Sequence, residues 1–115
     1  MIFTIYHNPN WSKSRQSLEL LRNQKAVVNI VEYIKTPPTA NELKEIAQKL
    51  DLNAKDFLRK SDKKYKELNL NNFSGTDEEI FSLMSENPTI IERPIIASEK
   101  KAVIGRPPEN ILKLF

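Results

Sequence analysis

The chain has 115 residues, 39% of them hydrophobic and 29% charged, with a formal net charge of +3. That suffices for one compact domain with a modest core and is too little positive charge to point to nucleic acid. There is no cysteine, which excludes disulfides, thiolate metal sites and thiol redox chemistry by the chain itself; no apolar run is long enough for a membrane helix, and the opening residues turn polar at His7, so a span and a leader are not expected and a cytoplasmic location is.

The run IFTIYH (Ile2 to His7) is β-prone throughout, and AVVNIVEYI (Ala26 to Ile34) is another, with SRQSLELLRNQ between them at helical spacing. Strand, crossover helix and strand predict a βαβ unit with parallel strands. The turn Asn8-Pro9-Asn10 delivers the chain to a helix N-terminus, where backbone N–H groups and the positive end of the helix dipole collect. The residue placed there is Trp11. It shares a face with Ser14, Leu18 and Leu21, so inward packing is one reading of it.

Past Thr36-Pro37-Pro38, Thr39 with Glu42 forms a capping-box pattern ahead of Leu43, Ile46, Ala47 and Leu50. A second, Thr76 with Glu79, opens DEEIFSLMSEN, whose apolar residues are Ile80, Phe81, Leu83 and Met84 and whose end is set by Asn87-Pro88. Between them, Lys55 to Lys66 holds six basic and two acidic residues and one or two short helical turns. The basic stretch reads either as a solvated face or as a patch for an anion or acidic partner. Residues 39–86 are expected to form a helical insertion in a single domain spanning 1–115.

RPIIAS and KAVIG flank Glu99-Lys100 and predict an antiparallel hairpin; RPPENILKLF predicts a closing helix with Pro107 or Pro108 in its first turn and Ile111, Leu112, Leu114 and Phe115 as core candidates. The order predicts an α/β fold of thioredoxin type, three layers with a mixed sheet and a helical insertion. The two glycines, Gly75 and Gly105, are too few for a phosphate loop or dinucleotide fingerprint, and no metal site is expected.

Four cations stand near predicted element ends: His7, Arg59, Arg93 and Arg106. Spacing alone allows a converging site or four unrelated surface charges. The blocks IYHNPN-x-SKSR, YIKTPPTANEL, LRK, ERPII and IGRPPE run from end to end of the chain. Through them it resembles the glutaredoxin-coupled arsenate reductase family, ArsC type, of the thioredoxin-like superfamily. In that family the first block reads His-Asn-Pro-x-Cys, and the cysteine attacks the arsenic of bound arsenate before glutathione and glutaredoxin supply electrons. The resemblance implies that Arg59, Arg93 and Arg106 hold the oxyanion, an arsenate, phosphate or sulfate, with Ser14 able to bond it. It also implies that His7 lies beside the nucleophile position and that Pro94 follows a cis bond. Arginine suits such a task because its planar fork bonds two oxygens at once.

The departure falls on the nucleophile: Trp11 occupies the cysteine position. Indole cannot form the thiolate adduct, serine hydroxyls have no accessible two-electron couple, and the thioethers of Met1 and Met84 cannot form a mixed disulfide. The ring either stacks on an arginine in the anion pocket or packs inward with Leu18, or the position is altered, Trp and Cys codons differing by one base. The expected function is an oxyanion-binding, redox-inactive member of the family with no bound cofactor. The alternative is a protein-binding module like the Spx-type regulators that contact RNA polymerase.

Overall fold

The computed structural model of the protein describes residues 2–115. The chain forms two compact units, one of the residues up to Thr36 together with Arg93–Phe115, the other of Pro37–Glu92.

In the first unit, strands β1 (Ile2–His7) and β2 (Val27–Glu32) flank helix α1 (Ser12–Asn23), and β3 (Ile95–Ala97) and β4 (Ala102–Ile104) complete a sheet of order β2-β1-β3-β4. β1 and β2 are parallel, pairing Ile2 with Val27 through His7 with Glu32; β3 runs antiparallel to β1 and to β4. The sheet is therefore mixed, as the βαβ pattern and the hairpin predict.

Alternation along β1 sends Phe3, Ile5 and His7 to the buried face. Phe3 and Ile5 pack with Leu18 and Leu21 of α1, Ile96 of β3, and Ile111 and Leu114 near the C-terminus. Each fully buried side chain of this kind contributes about 1.5–3 kcal/mol. On α1 the buried positions are Ser14, Ser17, Leu18 and Leu21, a stripe at helical spacing whose N-terminal half is hydroxyl rather than hydrocarbon.

Three expectations are corrected here. The second strand is shorter than Ala26 to Ile34, because Tyr33 and Ile34 turn away where Lys35 and Thr36 donate to the Glu32 carbonyl. The closing segment Pro108–Leu114 is a 3-10 helix rather than an α-helix, entered through Pro107. That tighter winding brings residues three apart onto one face, so Ile111 and Leu114 are buried while Leu112 and Phe115 are about half exposed, at 47% and 49%. Phe115 still contacts the Phe3 ring, centroids 5.0 Å apart.

The second unit holds α2 (Ala40–Leu50), α3 (Lys63–Glu67) and α4 (Asp77–Glu86) with short 3-10 turns between them. Both capping boxes form: Thr39 and Thr76 accept from the N–H of Glu42 and Glu79, whose carboxylates accept the cap N–H in return. Leu43, Ile46 and Ala47 of α2 and Ile80, Phe81 and Met84 of α4 are buried, as the periodicity predicts. The unit runs from Pro37 to Glu92, wider at both ends than the insertion read at 39–86.

Candidate functional site

The loop after β1 is fastened by its own polar groups. Asn8 accepts from the Asn10 N–H with its side chain at 3.1 Å and from the Trp11 N–H with its carbonyl at 3.1 Å. The Arg15 guanidinium reaches back to the Pro9 carbonyl at 2.9 Å. This turn leaves Trp11 as the N-cap of α1, with extended backbone angles of φ −114° and ψ 126°. Trp11 is thus outside the first helical turn, and its ring is half-buried rather than packed with the core stripe.

A tryptophan at this position has no oxygen with which to accept the first-turn N–H groups, and no side-chain cap is made. No acidic residue stands in the first turn either. The positive end of the α1 dipole therefore meets no compensating carboxylate from its own turn.

Two guanidinium groups gather on the indole instead. Arg93 Cζ lies 4.4 Å from the ring centroid and Arg106 Cζ 5.5 Å. Arg93 Nε is buried with no hydrogen-bond partner. Both arginines precede prolines through cis bonds, Arg93–Pro94 and Arg106–Pro107; the second was not anticipated from the sequence.

Gly105 sets the approach of the two arginine segments. Its N–H donates to the Pro94 carbonyl at 2.8 Å, and a Cβ added there would meet Ser17 Oγ at 2.6 Å, Ile96 Cδ1 at 2.9 Å and Pro94 Cγ at 3.0 Å. Only a hydrogen fits between α1, β3 and the Pro94 turn. The small Ser17 on α1 answers it, its hydroxyl 3.5 Å from the Gly105 carbonyl. Sequence reading missed Gly105 and Ser17 as positioning residues; the signal available was a glycine directly before an arginine, together with a serine on the buried helix stripe.

His7 and Ser14 are both buried, at 6% and 0% exposure. His7 Nδ1 lies 2.6 Å from Ser14 Oγ, which also accepts the Asn8 N–H at 3.0 Å. Burial pushes the His7 pKa below its ordinary value; Glu32 across the strand pair opposes this, and Arg22 and Arg15 reinforce it. In the neutral ring that this favours, Nδ1 accepts the Ser14 hydroxyl proton, so every polar atom of the contact is used.

Arg59 belongs to the second unit. Its Nη1 donates to Asp62 Oδ1 at 3.1 Å, and its Nε is buried without a hydrogen-bond partner. The structure thus brings Trp11 to Arg93 and Arg106, and His7 to Ser14; Arg59 makes its polar contact with Asp62. An acid-lined cleft in the second unit involves Asp56 and Asp77, but these carboxylates accept from the N–H groups of Asn53 and Ala54 and serve local turns. Among the described residues no group of His, Asp or Glu is arranged to hold a metal ion, and no helix is long and apolar enough to cross a membrane.

A thioredoxin-like α/β protein with arginines at the cap of its first helix is the class this geometry defines. Residues 6–114 match the ArsC family, and the chain belongs to it. It is 44% identical to an arsenate reductase of Haemophilus influenzae across the full length of both. It is 35% identical to an arsenate reductase of Escherichia coli, covering 97% of this chain and 79% of that one. The structure of an arsenate reductase from Vibrio cholerae superposes with a TM-score of 0.95 at 42% identity, over 100% of this chain and 98% of that one.

Proposed function

We propose that this ArsC-family protein binds a tetrahedral oxyanion and does not reduce it. The observation that carries the reading is the gathering of Arg93 and Arg106 on Trp11 at the N-terminal cap of α1. A part for Arg59 rests on the family resemblance alone, its observed polar contact being Asp62, and Ser14 holds His7 and the loop. With no cysteine in the chain, the route through glutathione and glutaredoxin has no entry point here. Arsenate, phosphate and sulfate share the charge and geometry that guanidinium forks and first-turn N–H groups recognise.

Calorimetry with the three inorganic anions tests the reading. Several charge-assisted bonds must outweigh desolvation and the ordering of long side chains, so the expected Kd is on the order of tens of micromolar to millimolar. Arg93→Ala and Arg106→Ala each weaken binding, and Lys63→Ala, on the exposed face of α3, does not. A docking module of the Spx type is the second reading, favoured by Ile2, Val27 and Ile30, which stand 64%, 60% and 45% exposed on β1 and the edge strand β2. Absence of anion binding would favour it.

A further inference from the structure

β2 is the outermost strand of its sheet, and no strand among the described residues pairs with its outer side. One row of its backbone N–H and C=O groups is therefore left without a ladder. Proteins guard such an edge with a proline, a bulge or a charge set within the strand. β2 has none of these: its register on β1 runs unbroken from Val27 to Glu32, and between Lys25 and Glu32 the sequence is AVVNIV.

The side chains along this edge are apolar and in water. Val27 is 60% exposed and lies across from Ile2, itself 64% exposed, on the face away from Phe3 and Ile5. Ile30, 45% exposed, lies on the other face, across from Ile5. Both faces of the edge thus carry hydrocarbon that a further strand in the same sheet would cover.

The charges select which strand. Lys25 is exposed just before β2 begins, and Glu32, its side chain 42% exposed, stands where β2 ends. Glu32 holds Lys35 only loosely, at 3.8 Å. A second β2 laid antiparallel brings each Lys25 toward the other copy's Glu32, whereas a parallel one sets lysine beside lysine and glutamate beside glutamate. The strand is complementary to its own reverse.

We infer that two copies of this chain pair through β2, antiparallel about a two-fold axis normal to the sheet and centred on Asn29. An axis in that direction makes each face of one sheet continuous with the same face of the other, so residues opposite one another share a face. Val27 then stands opposite Val31 of the second copy and Ile30 opposite its Val28, while the two Asn29 amides meet on the axis, where they can bond each other. Glu32 falls opposite Ala26, one residue from Lys25. Two four-stranded sheets become one, and the inference does not depend on the anion reading.

Sedimentation equilibrium from low micromolar to millimolar protein tests the pairing. An interface this small belongs to the weak class, and the expected Kd of the dimer is on the order of 100 µM. Ile30→Lys, a change of the kind natural edges carry, should weaken it at least about ten-fold. Lys25→Glu and Glu32→Lys should each weaken it roughly five-fold, and the two in one chain should restore it to within about two-fold of wild type. Amide exchange followed by NMR should show alternate N–H groups of Val27 to Val31 slowing as protein concentration rises, because every other residue directs its N–H outward. Melting temperatures in dilute solution confirm that each variant is folded. A chain that stays monomeric at millimolar concentration overturns the inference and leaves the edge to the foreign partner of the docking reading. A dimer that Ile30→Lys leaves intact joins through another surface and overturns it as well. Failure of the double charge exchange to restore pairing overturns the antiparallel arrangement. None of these outcomes touches anion binding at the α1 cap, which calorimetry measures separately.

Discussion

The Arg93 guanidinium carbon lies 4.4 Å from the centre of the Trp11 indole, at the N-terminal cap of α1. A cation over an indole face is stabilised by about 0.5–2 kcal/mol, the upper value when both groups are desolvated. Arg93 and Arg106 therefore have the indole for company. Trp11 is a platform for them, and on the proposed reading the cations that would face an oxyanion also face the ring.

From the missing thiol follows the first expected outcome: purified protein will not reduce arsenate with glutathione and glutaredoxin above a no-protein blank. Turnover by the unaltered chain that Arg93→Ala abolishes would contradict this.

Anion binding should also appear as stabilisation. Sulfate or phosphate at concentrations above Kd raises the melting temperature, by mass action on the folded state. The increment is larger at low ionic strength than at high, because the cations are partly exposed and screened by salt. Trp11 is the only tryptophan, so its fluorescence reports the event, and Arg93→Ala and Arg106→Ala should each remove the change.

Much of the fold was legible because its signals are local. Alternation and β-branching marked the strands, and two threonine–glutamate boxes marked helix starts to the residue. The closing 3-10 helix was not legible, since Ile111, Leu112, Leu114 and Phe115 fit an α-helical stripe as well as a three-residue one; the choice was made by packing on β4 and α1. At the site, spacing alone left His7, Arg59, Arg93 and Arg106 as unrelated cations, and it was the family resemblance that singled them out with Ser14; the structure places Arg93 and Arg106 on Trp11 and His7 on Ser14. Gly105 and Ser17 escaped because a close approach of two backbones leaves no periodic trace. The Asp62 contact escaped because an aspartate three residues from an arginine in a lysine-rich stretch looks like any solvated pair.

His7 gives the fold a pH dependence with a definite sign. Its folded-state pKa lies below the ordinary value of 6.5, chiefly from burial, so the unfolded chain binds the proton more readily. Its contribution is fully present above the unfolded pKa and is lost as pH falls below 6.5 toward the lowered folded value. Chemical denaturation at pH 7 and pH 5.5, above the ordinary carboxylate range, should show wild type losing stability at the lower pH. His7→Asn, which keeps an acceptor near Ser14, should lose less.

Gly105→Ala should destabilise the protein by about 1–3 kcal/mol, because the new methyl meets Ser17 Oγ at 2.6 Å with Ile96 and Pro94 close behind. Ser17→Gly in the same chain should recover part of the loss. Equal melting of Gly105→Ala and wild type would mean that the strand and helix separate at no cost.

Returning the thiol tests whether the arginines and the helix still act on this position. In Trp11→Cys the sulfur sits at the cap of α1, where first-turn N–H groups lack a side-chain acceptor and no acid stands in the first turn. Arg93 and Arg106, now without the ring, supply two positive charges close by. Each of these favours thiolate over thiol, so the pKa should fall below the free value of about 8.5. Lower pKa also lowers intrinsic nucleophilicity, and the two effects leave an expected alkylation rate about ten-fold above that of free cysteine at pH 7. Arg93→Ala in the same background should remove most of the gain. The half-buried ring is lost in the exchange, so melting temperature must first show that the variant is folded; the cost should stay below the roughly 3–5 kcal/mol of deleting a fully buried tryptophan. A folded variant whose thiol alkylates like an ordinary exposed cysteine would show that the charges gathered on Trp11 do not reach the place where an oxyanion must bind.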